Sequence, residues 1–484
     1  MNKSKVKVGV FGIGLAAYWA QFEGLRERLE GYQKRIEEKL AVYGAQVTSV
    51  GIVDNALDAR QAGEQFRRAN VDIIICYEGT YATSSQVLPT VQRTGLAVLI
   101  LNLQPVPALD YLNTDTAEWL ANCTACCVPE IANAFTRASI PLNIVTGPLS
   151  PAEGKAKRYY DRAWKEIEEW ISAASVMCAI RDSRIGFLGH TYAGMLDMYS
   201  DPTMFHAQLG NHIEILEMDD LQVRVDQVLP EEADKKIQEI KDVFQIAEPG
   251  FDKLSQKVTR EALAWTARVA VGLDKLVEDY DLQGLTYYYK GIGSNAFERL
   301  GASVIVGNSL LTARGIPAAG EGDLKTCLAM LLMDRLGAGG SYTEFYALDF
   351  NEDFILMGHD GPGHINISSE KPVLRALGLY HGKQGYGISV EFKVKTGPIT
   401  ILGLTQTLDG RLKLLAAEGE SLAGDTLQIG NTNSRLKFPM EPDAFFNAWC
   451  MEGPTHHVAL GVGHQLSRIR KLSRLMNLQL VEIA

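Results

Sequence analysis

The 484 residues, 46% hydrophobic and 22% charged, have the mix of a globular protein long enough to bury a sizeable core. A formal net charge of −11 argues against a nucleic-acid partner, because phosphate binding needs a basic face. No apolar run reaches the length of a membrane span, and the basic start, residues 1–6, lacks the apolar stretch of a signal peptide. Seven scattered cysteines, an odd number, fit a reducing cytoplasm without a disulfide framework.

In chain order, the first third alternates short β runs with helical stretches. Residues 6–11 read as a strand and 16–43 as one long amphipathic helix. Residues 45–53 and 56–69 repeat the alternation, as do 71–76 and 84–94. Residues 96–101 are a further buried strand, and a helix over 151–177 closes the region. Continuous apolar strands between helices imply a parallel sheet covered on both faces. Residues 1–178 are therefore expected to form a doubly wound α/β domain. A second α/β domain is expected over 179–335, with strands at 184–188, 212–218 and 285–289 and a helix over 257–280. From 336 to 484 the pattern changes to strands with short turns, at 354–358, 387–394, 399–405 and 411–417. A helix at 465–476 and a strand at 478–482 follow. That predicts a β-rich, barrel-like C-terminal domain.

Gly12-Ile13-Gly14-Leu15-Ala16-Ala17 follows a strand and opens a helix, imitating a dinucleotide fingerprint. The ribose-binding acid should lie about 20 residues on, yet Asp54, the first acid ending the second strand, is about twice as far. A tight strand–helix turn is the better reading. Cys123-Thr124-Ala125-Cys126-Cys127 contains a C-x-x-C, but no second pair or histidine lies nearby to complete a zinc site. Buried, unreactive thiols are the expectation there. His190, His206, His212, His381 and His464 stand alone and each reads as structural. His206 is the most interesting of them, because it lies at an expected domain junction.

The last third carries the chemistry. Glu321 stands between two glycines in Ala318-Ala319-Gly320-Glu321-Gly322-Asp323, a loop that permits close backbone approach to a ligand. Glu344 lies in Ser341-Tyr342-Thr343-Glu344-Phe345, and a partly buried carboxylate needs a cation or a hydrogen bond. His359 ends an apolar strand ahead of Asp360-Gly361-Pro362-Gly363-His364, and His456-His457 precede another apolar run. Adjacent strand residues face opposite ways, so only one of the pair is expected to point at a given metal. Taken singly, Glu344 reads equally well as a structural ion pair, and Glu321 and each histidine read better as structural. Together, two carboxylates and two imidazoles suit a divalent transition ion such as Mn²⁺, with Co²⁺ or Mg²⁺ as substitutes, and two carboxylates beside one metal can also move protons. Aldose–ketose interconversion needs that combination.

At these residues the sequence resembles the L-arabinose isomerase family, within the wider L-arabinose/L-fucose isomerase group. The matching stretches are Ala319-Gly320-Glu321-Gly322-Asp323-Leu324-Lys325-Thr326, Gly340-Ser341-Tyr342-Thr343-Glu344, Leu356-Met357-Gly358-His359 and His456-His457-Val458. The first domain departs from the family, reading Phe11-Gly12-Ile13-Gly14 and Cys123-Thr124-Ala125-Cys126-Cys127 where members carry a Gly-Ser-Gln-His type turn and a Thr-Ala-His-Gly-Gly stretch. The resemblance implies metal ligands at Glu321, Glu344, His359 and His457, with Glu321 and Glu344 also as the catalytic proton-transfer pair. His456 would then meet substrate or support a ligand, and Asp360 and His364 would orient His359. It further implies a small sugar substrate and a homo-oligomer, trimer or hexamer, whose active sites are shared between subunits. The expected function is a metal-dependent aldose–ketose isomerase working through a cis-enediol. Alternatives are an isomerase or epimerase of another pentose or hexose, a non-catalytic sugar-binding protein, and a nicotinamide-dependent oxidoreductase.

Overall fold

The computed structural model describes residues 5–247, 255–290, 295–377, 379–380, 383–384 and 387–484. His381 lies outside them. The chain divides into two compact units, residues 1–178 and 179–484.

The first unit holds a five-stranded parallel sheet of β1 (Lys7–Ile13), β2 (Gln46–Val53), β3 (Ile73–Tyr77), β4 (Val98–Gln104) and β5 (Leu142–Pro148), in the order β2-β1-β3-β4-β5. Every residue of β3 is buried, as its unbroken apolar run requires when helices cover both faces. The single long helix expected over 16–43 is instead two pieces, Ala16–Trp19 and Leu25–Val42. Gly24 adopts a left-handed conformation at φ 78°, which starts the second helix afresh. The glycines of the fingerprint-like turn serve packing. A Cβ on Gly12 would lie 2.6 Å from the Gln33 amide oxygen, and one on Gly14 2.6 Å from the Trp19 ring. Asp54, the candidate ribose acid, accepts from the Trp19 indole N–H at 2.7 Å and pairs with Arg26 at 3.5 Å.

The second unit opens with a parallel sheet of β6 (Arg184–Gly189), β7 (His212–Leu216), β8 (Gly284–Tyr288) and β9 (Ala318–Ala319), in the order β9-β8-β6-β7. A mainly antiparallel sheet follows, made of β10 (Gly339–Asp349), β11 (Phe354–His359), β12 (Gly397–Gln406), β13 (Leu412–Leu422), β14 (Thr432–Lys437), β15 (His457–Val462) and β16 (Gln479–Glu482), the last pairing in parallel with β13. Its order is β12-β15-β10-β11-β14-β13-β16, and β12 also pairs with β13, which closes six strands into a barrel. The α/β units and β-barrel anticipated from the pattern are therefore present. Ahead of the Glu321 loop, Ile305–Ala313 forms a buried helix.

One helix positions the site. Leu324–Arg335 has apolar residues around its whole circumference, and every residue from 324 to 333 is buried. A helix without a polar face belongs in a core. It packs against β8 and β9 of the parallel sheet and against β10, β12 and β15 of the barrel. Its N-terminus, where Glu321 and Asp323 lie, is thereby held at the junction of the two sheets. Among the described residues, no helix is long and apolar enough to cross a membrane.

Candidate active site

Strand register assembles half of the site. On β10, Glu344 lies directly opposite His457 of β15 on one side and Gly358 of β11 on the other, one residue before His359. Cross-strand partners share a face, so Glu344 and His457 are brought together by hydrogen-bond pairing alone. Gly358 is required there, because a Cβ would sit 2.2 Å from the Thr432 carbonyl oxygen. Tyr342, two residues before Glu344, sets its ring edge-on to His359 and tilted against His457, with centroids 4.5 Å and 4.3 Å away.

The loop between β9 and the buried helix supplies the rest. Glu321 has a left-handed backbone, φ 60°, rare for a residue with a side chain. Its carbonyl accepts from the Tyr192 N–H at 2.8 Å, and the Gly322 N–H donates to the Tyr287 carbonyl at 3.0 Å. Gly322 itself has φ 73°, and a Cβ there would lie 2.5 Å from the His190 carbonyl oxygen. The loop is thus tied to the chain on both sides, with the Glu321 carboxylate turned to the histidines.

Ligand-capable atoms of Glu321, His456 and His457 all lie within 4.8 Å of one another, and so do those of Glu344, His359 and His457. His457 joins the two groups and is fully buried. Its Nδ1 faces the Asp323 carboxylate at 3.1 Å and the Tyr342 hydroxyl oxygen at 2.7 Å. The Tyr342 hydroxyl in turn donates to the Gly320 carbonyl at 3.3 Å. These partners hold the proton on Nδ1 and leave the Nε2 lone pair facing the site. His359 Nε2 lies 3.2 Å from His457 Nε2, while its Nδ1 accepts from the Gly361 N–H at 2.8 Å.

A divalent ion fits this donor set. The site offers two carboxylates and two facing imidazoles, and Glu321 Oε2 is buried with no hydrogen-bond partner. Its nearest neighbours are the Nε2 atoms of His457 at 3.6 Å and His456 at 3.8 Å. Burial pushes the Glu321 carboxyl upward, but His456, His457 and His359 outweigh it and hold the group below its ordinary value. Burial wins at Glu344, which is raised although His457 and His456 oppose it. The two carboxylates are thus shifted in opposite directions.

The expectation that His456 and His457 face opposite ways does not hold. β15 begins at His457, so His456 lies outside the pleat, and the two ring centroids are 3.8 Å apart beside the same Glu321. Asp197, from a turn far away in sequence, accepts with one oxygen from the His456 backbone N–H at 3.0 Å and from Nδ1 at 2.7 Å. Burial alone would lower His456, but Asp197 and Glu321 reverse this and raise it to about 10. Lys325, buried in the first turn of the helix, anchors that turn by donating to the Tyr199 carbonyl and the Ser200 hydroxyl, both at 3.1 Å.

Asp360 lies where a supporting group should, 3.4 Å from His359 Nδ1. His364 does not; its ring is directed at Asp334, 3.6 Å away. His206 caps its own helix end through the Asn211 carbonyl at 3.0 Å, and His212 pairs with Glu214 at 3.3 Å. Sequence reasoning assigned no role to Asp323, Tyr342 or Asp197. The first two lie inside the matching motifs, and Asp323 carries a readable sign as the N-cap of the helix, accepting from Thr326 N–H at 2.9 Å. No local signal marks Asp197.

Comparison with known proteins agrees with the geometry. Residues 200–339 match the L-arabinose isomerase central domain and residues 339–479 the L-arabinose isomerase C-terminal domain. The chain is 23% identical over 418 residues to an L-arabinose isomerase of Nocardioides sp., covering 84% of this chain and 79% of that protein. It is 25% identical over 362 residues to one of Acidothermus cellulolyticus, covering 73% and 69%. It is also 30% identical over 195 residues to a sulfoquinovose isomerase of Alkalicoccus urumqiensis, covering 39% and 42%. With the metal-capable residues clustered inside both matched domains, the chain belongs to the L-arabinose isomerase family and is an aldose–ketose isomerase.

Proposed function

We propose that the protein interconverts an aldose and its ketose with the help of a divalent ion, Mn²⁺ by preference, held by Glu321, Glu344, His359 and His457. The observation that carries this reading is the buried Glu321 Oε2, which makes no hydrogen bond and faces His457 Nε2 across 3.6 Å. Bound there, the ion would supply Lewis-acid polarisation of the sugar's oxygen atoms. The remaining work falls to the chain. One carboxylate takes the proton from C2 of the open-chain aldose to give a cis-enediol and returns it at C1. The other carries the hydroxyl proton. His456, kept cationic by Asp197, would donate to a sugar oxygen at the open side of the site.

The relatives named as L-arabinose and sulfoquinovose isomerases suggest the sugars to try first, with other pentoses and hexoses behind them. We further propose a cytoplasmic homo-oligomer, trimer or hexamer, in which loops of one subunit's first unit complete the sugar pocket of a neighbour.

The test is ketose formation from an aldose panel after chelation and after Mn²⁺ return. Turnover should vanish and recover. Glu321→Gln and Glu344→Gln should each lose about 10²–10⁴-fold in kcat while staying folded, the usual worth of acid–base catalysis. Full turnover in exhaustively chelated, metal-free protein would refute the metal reading.

A further inference from the structure

The motif Cys123-Thr124-Ala125-Cys126-Cys127, unused by the isomerase site, forms a built thiol cluster in the first unit. The Cys123 and Cys126 sulfurs lie 2.6 Å apart. Cys123 is buried and Cys126 exposed, so one sulfur of the pair is open to solvent and the other waits behind it. The helix Val128–Arg137 starts immediately afterwards with Cys127 as its N-cap, which puts the positive end of the helix dipole beside the pair. Cys127 borders the pair but has a buried carboxylate partner of its own. Its thiol is 2.9 Å from Glu78 Oε2, and the other Glu78 oxygen is 3.5 Å from the Cys76 thiol, all fully buried. Among the described residues, no third histidine, cysteine or carboxylate completes a three-ligand cluster on the pair. That argues for dithiol chemistry over a closed metal site.

We propose that Cys123 and Cys126 form a dithiol oxidation site, with exposed Cys126 as attacking thiolate, buried Cys123 as resolving thiol, and hydrogen peroxide as oxidant. The Cys126 sulfur attacks the O–O bond; that bond breaks, a sulfenic acid forms, and the departing oxygen leaves as water. The Cys123 thiol then attacks the sulfenic sulfur, an S–S bond forms, and a second water leaves. Two thiols are oxidised by two electrons and one hydrogen peroxide is reduced to two waters. A dithiol reductant reverses the bond. The electrostatics agree: the Cys123 and Cys127 thiols pull Cys126 below the ordinary thiol value, while Cys123 is itself raised, first through Cys126 and then through burial.

The test exposes the full-length protein to hydrogen peroxide and maps all seven thiols by mass spectrometry, with exposed Cys450 as internal control. One equivalent should remove two thiols and two hydrogens of mass, place the link within one peptide at Cys123–Cys126, and spare Cys450. Cys126 should react about tenfold or more faster than Cys450, as a thiolate outpaces a thiol. Cys123→Ser should stop at a sulfenic acid on Cys126 that dimedone traps, and Cys126→Ser should leave Cys123 unmodified. Reaction no faster than at Cys450, a link between other cysteines, or Cys126 passing to sulfinic acid beside free Cys123 would each overturn the proposal.

Discussion

At the scale of single residues, the site rests on groups whose states are set by neighbours distant in sequence. Asp197 is the clearest case, since it holds the His456 imidazole charged from more than two hundred residues away. In wild type the His456 ring, raised to about 10, should stay protonated throughout neutral pH. Asp197→Asn removes the largest opposing charge, so the proton should leave at lower pH. A titration of the ring proton resonances in both proteins measures this, and an unmoved midpoint would count against the pair. Glu321 makes a second prediction, through its backbone. A non-glycine residue held left-handed costs on the order of 1–3 kcal/mol, and Glu321 bears that cost at φ 60°. Glu321→Gly should abolish turnover yet leave urea stability of the metal-free protein equal or raised by about 1 kcal/mol, as glycine has no such cost. A marked loss of stability would show that the carboxylate supports the fold instead. The sequence displays Glu321, Glu344 and His359 by their company of glycines and aromatics. It cannot display Asp197, because nothing within a turn of it points to a histidine. The alternation rule also misleads at His456–His457, because the strand begins at His457 and leaves His456 outside it.

At the scale of elements, strand pairing does more of the assembly than any loop. Glu344 and His457 meet because β10 and β15 are in a register that opposes them, and a one-residue slip would send one to the far face. Gly358 guards that register on the other side of β10. Gly358→Ala would place a methyl 2.2 Å from the Thr432 oxygen on β14 and force β11 away from β14. The expected result is a loss of about 1–3 kcal/mol, typical of overpacking, with weaker metal binding because His359 ends the displaced strand. Retained Mn²⁺ affinity in a destabilised Gly358→Ala protein would separate the strand from the site. Helices and strands of strong period are legible in the sequence, including β3 and the helix Ala56–Ala69. The break at 20–24 is not, because the amphipathic pattern runs on through it and only Gly24 marks the restart. The helix Leu324–Arg335 is hidden for the opposite reason: being apolar on all sides, it has no periodic stripe to read.

At the scale of the whole molecule, the two units should answer to different variables, pH in the first and metal in the second. Glu78 sits fully buried at the end of β3, where burial raises its carboxyl to about 8. The folded value lies above the unfolded one, so the native state holds an extra proton between pH 4.5, the ordinary value, and about 8. Stability from this group is complete below that window and declines as pH rises through it. A tenfold difference in proton affinity between the folded and unfolded chain is worth about 1.4 kcal/mol, so the decline amounts to a few kcal/mol. Glu78→Gln should flatten the dependence. Residues 179–484 contain every proposed metal ligand, and ligand binding to the native state alone adds about 2.7 kcal/mol at a hundredfold excess over Kd. Amide hydrogen exchange followed by peptide can read both effects in one sample. Raising pH from 6 to 8 at matched intrinsic exchange should lower protection in β1, β3 and β4, and Glu78→Gln should remove that change. Adding Mn²⁺ to chelated protein should slow exchange in Leu324–Arg335, β10, β11 and β15, with β1, β3 and β4 unaffected. Metal-dependent protection centred on β1, β3 and β4 instead would move the metal site out of the barrel junction and refute the ligand assignment.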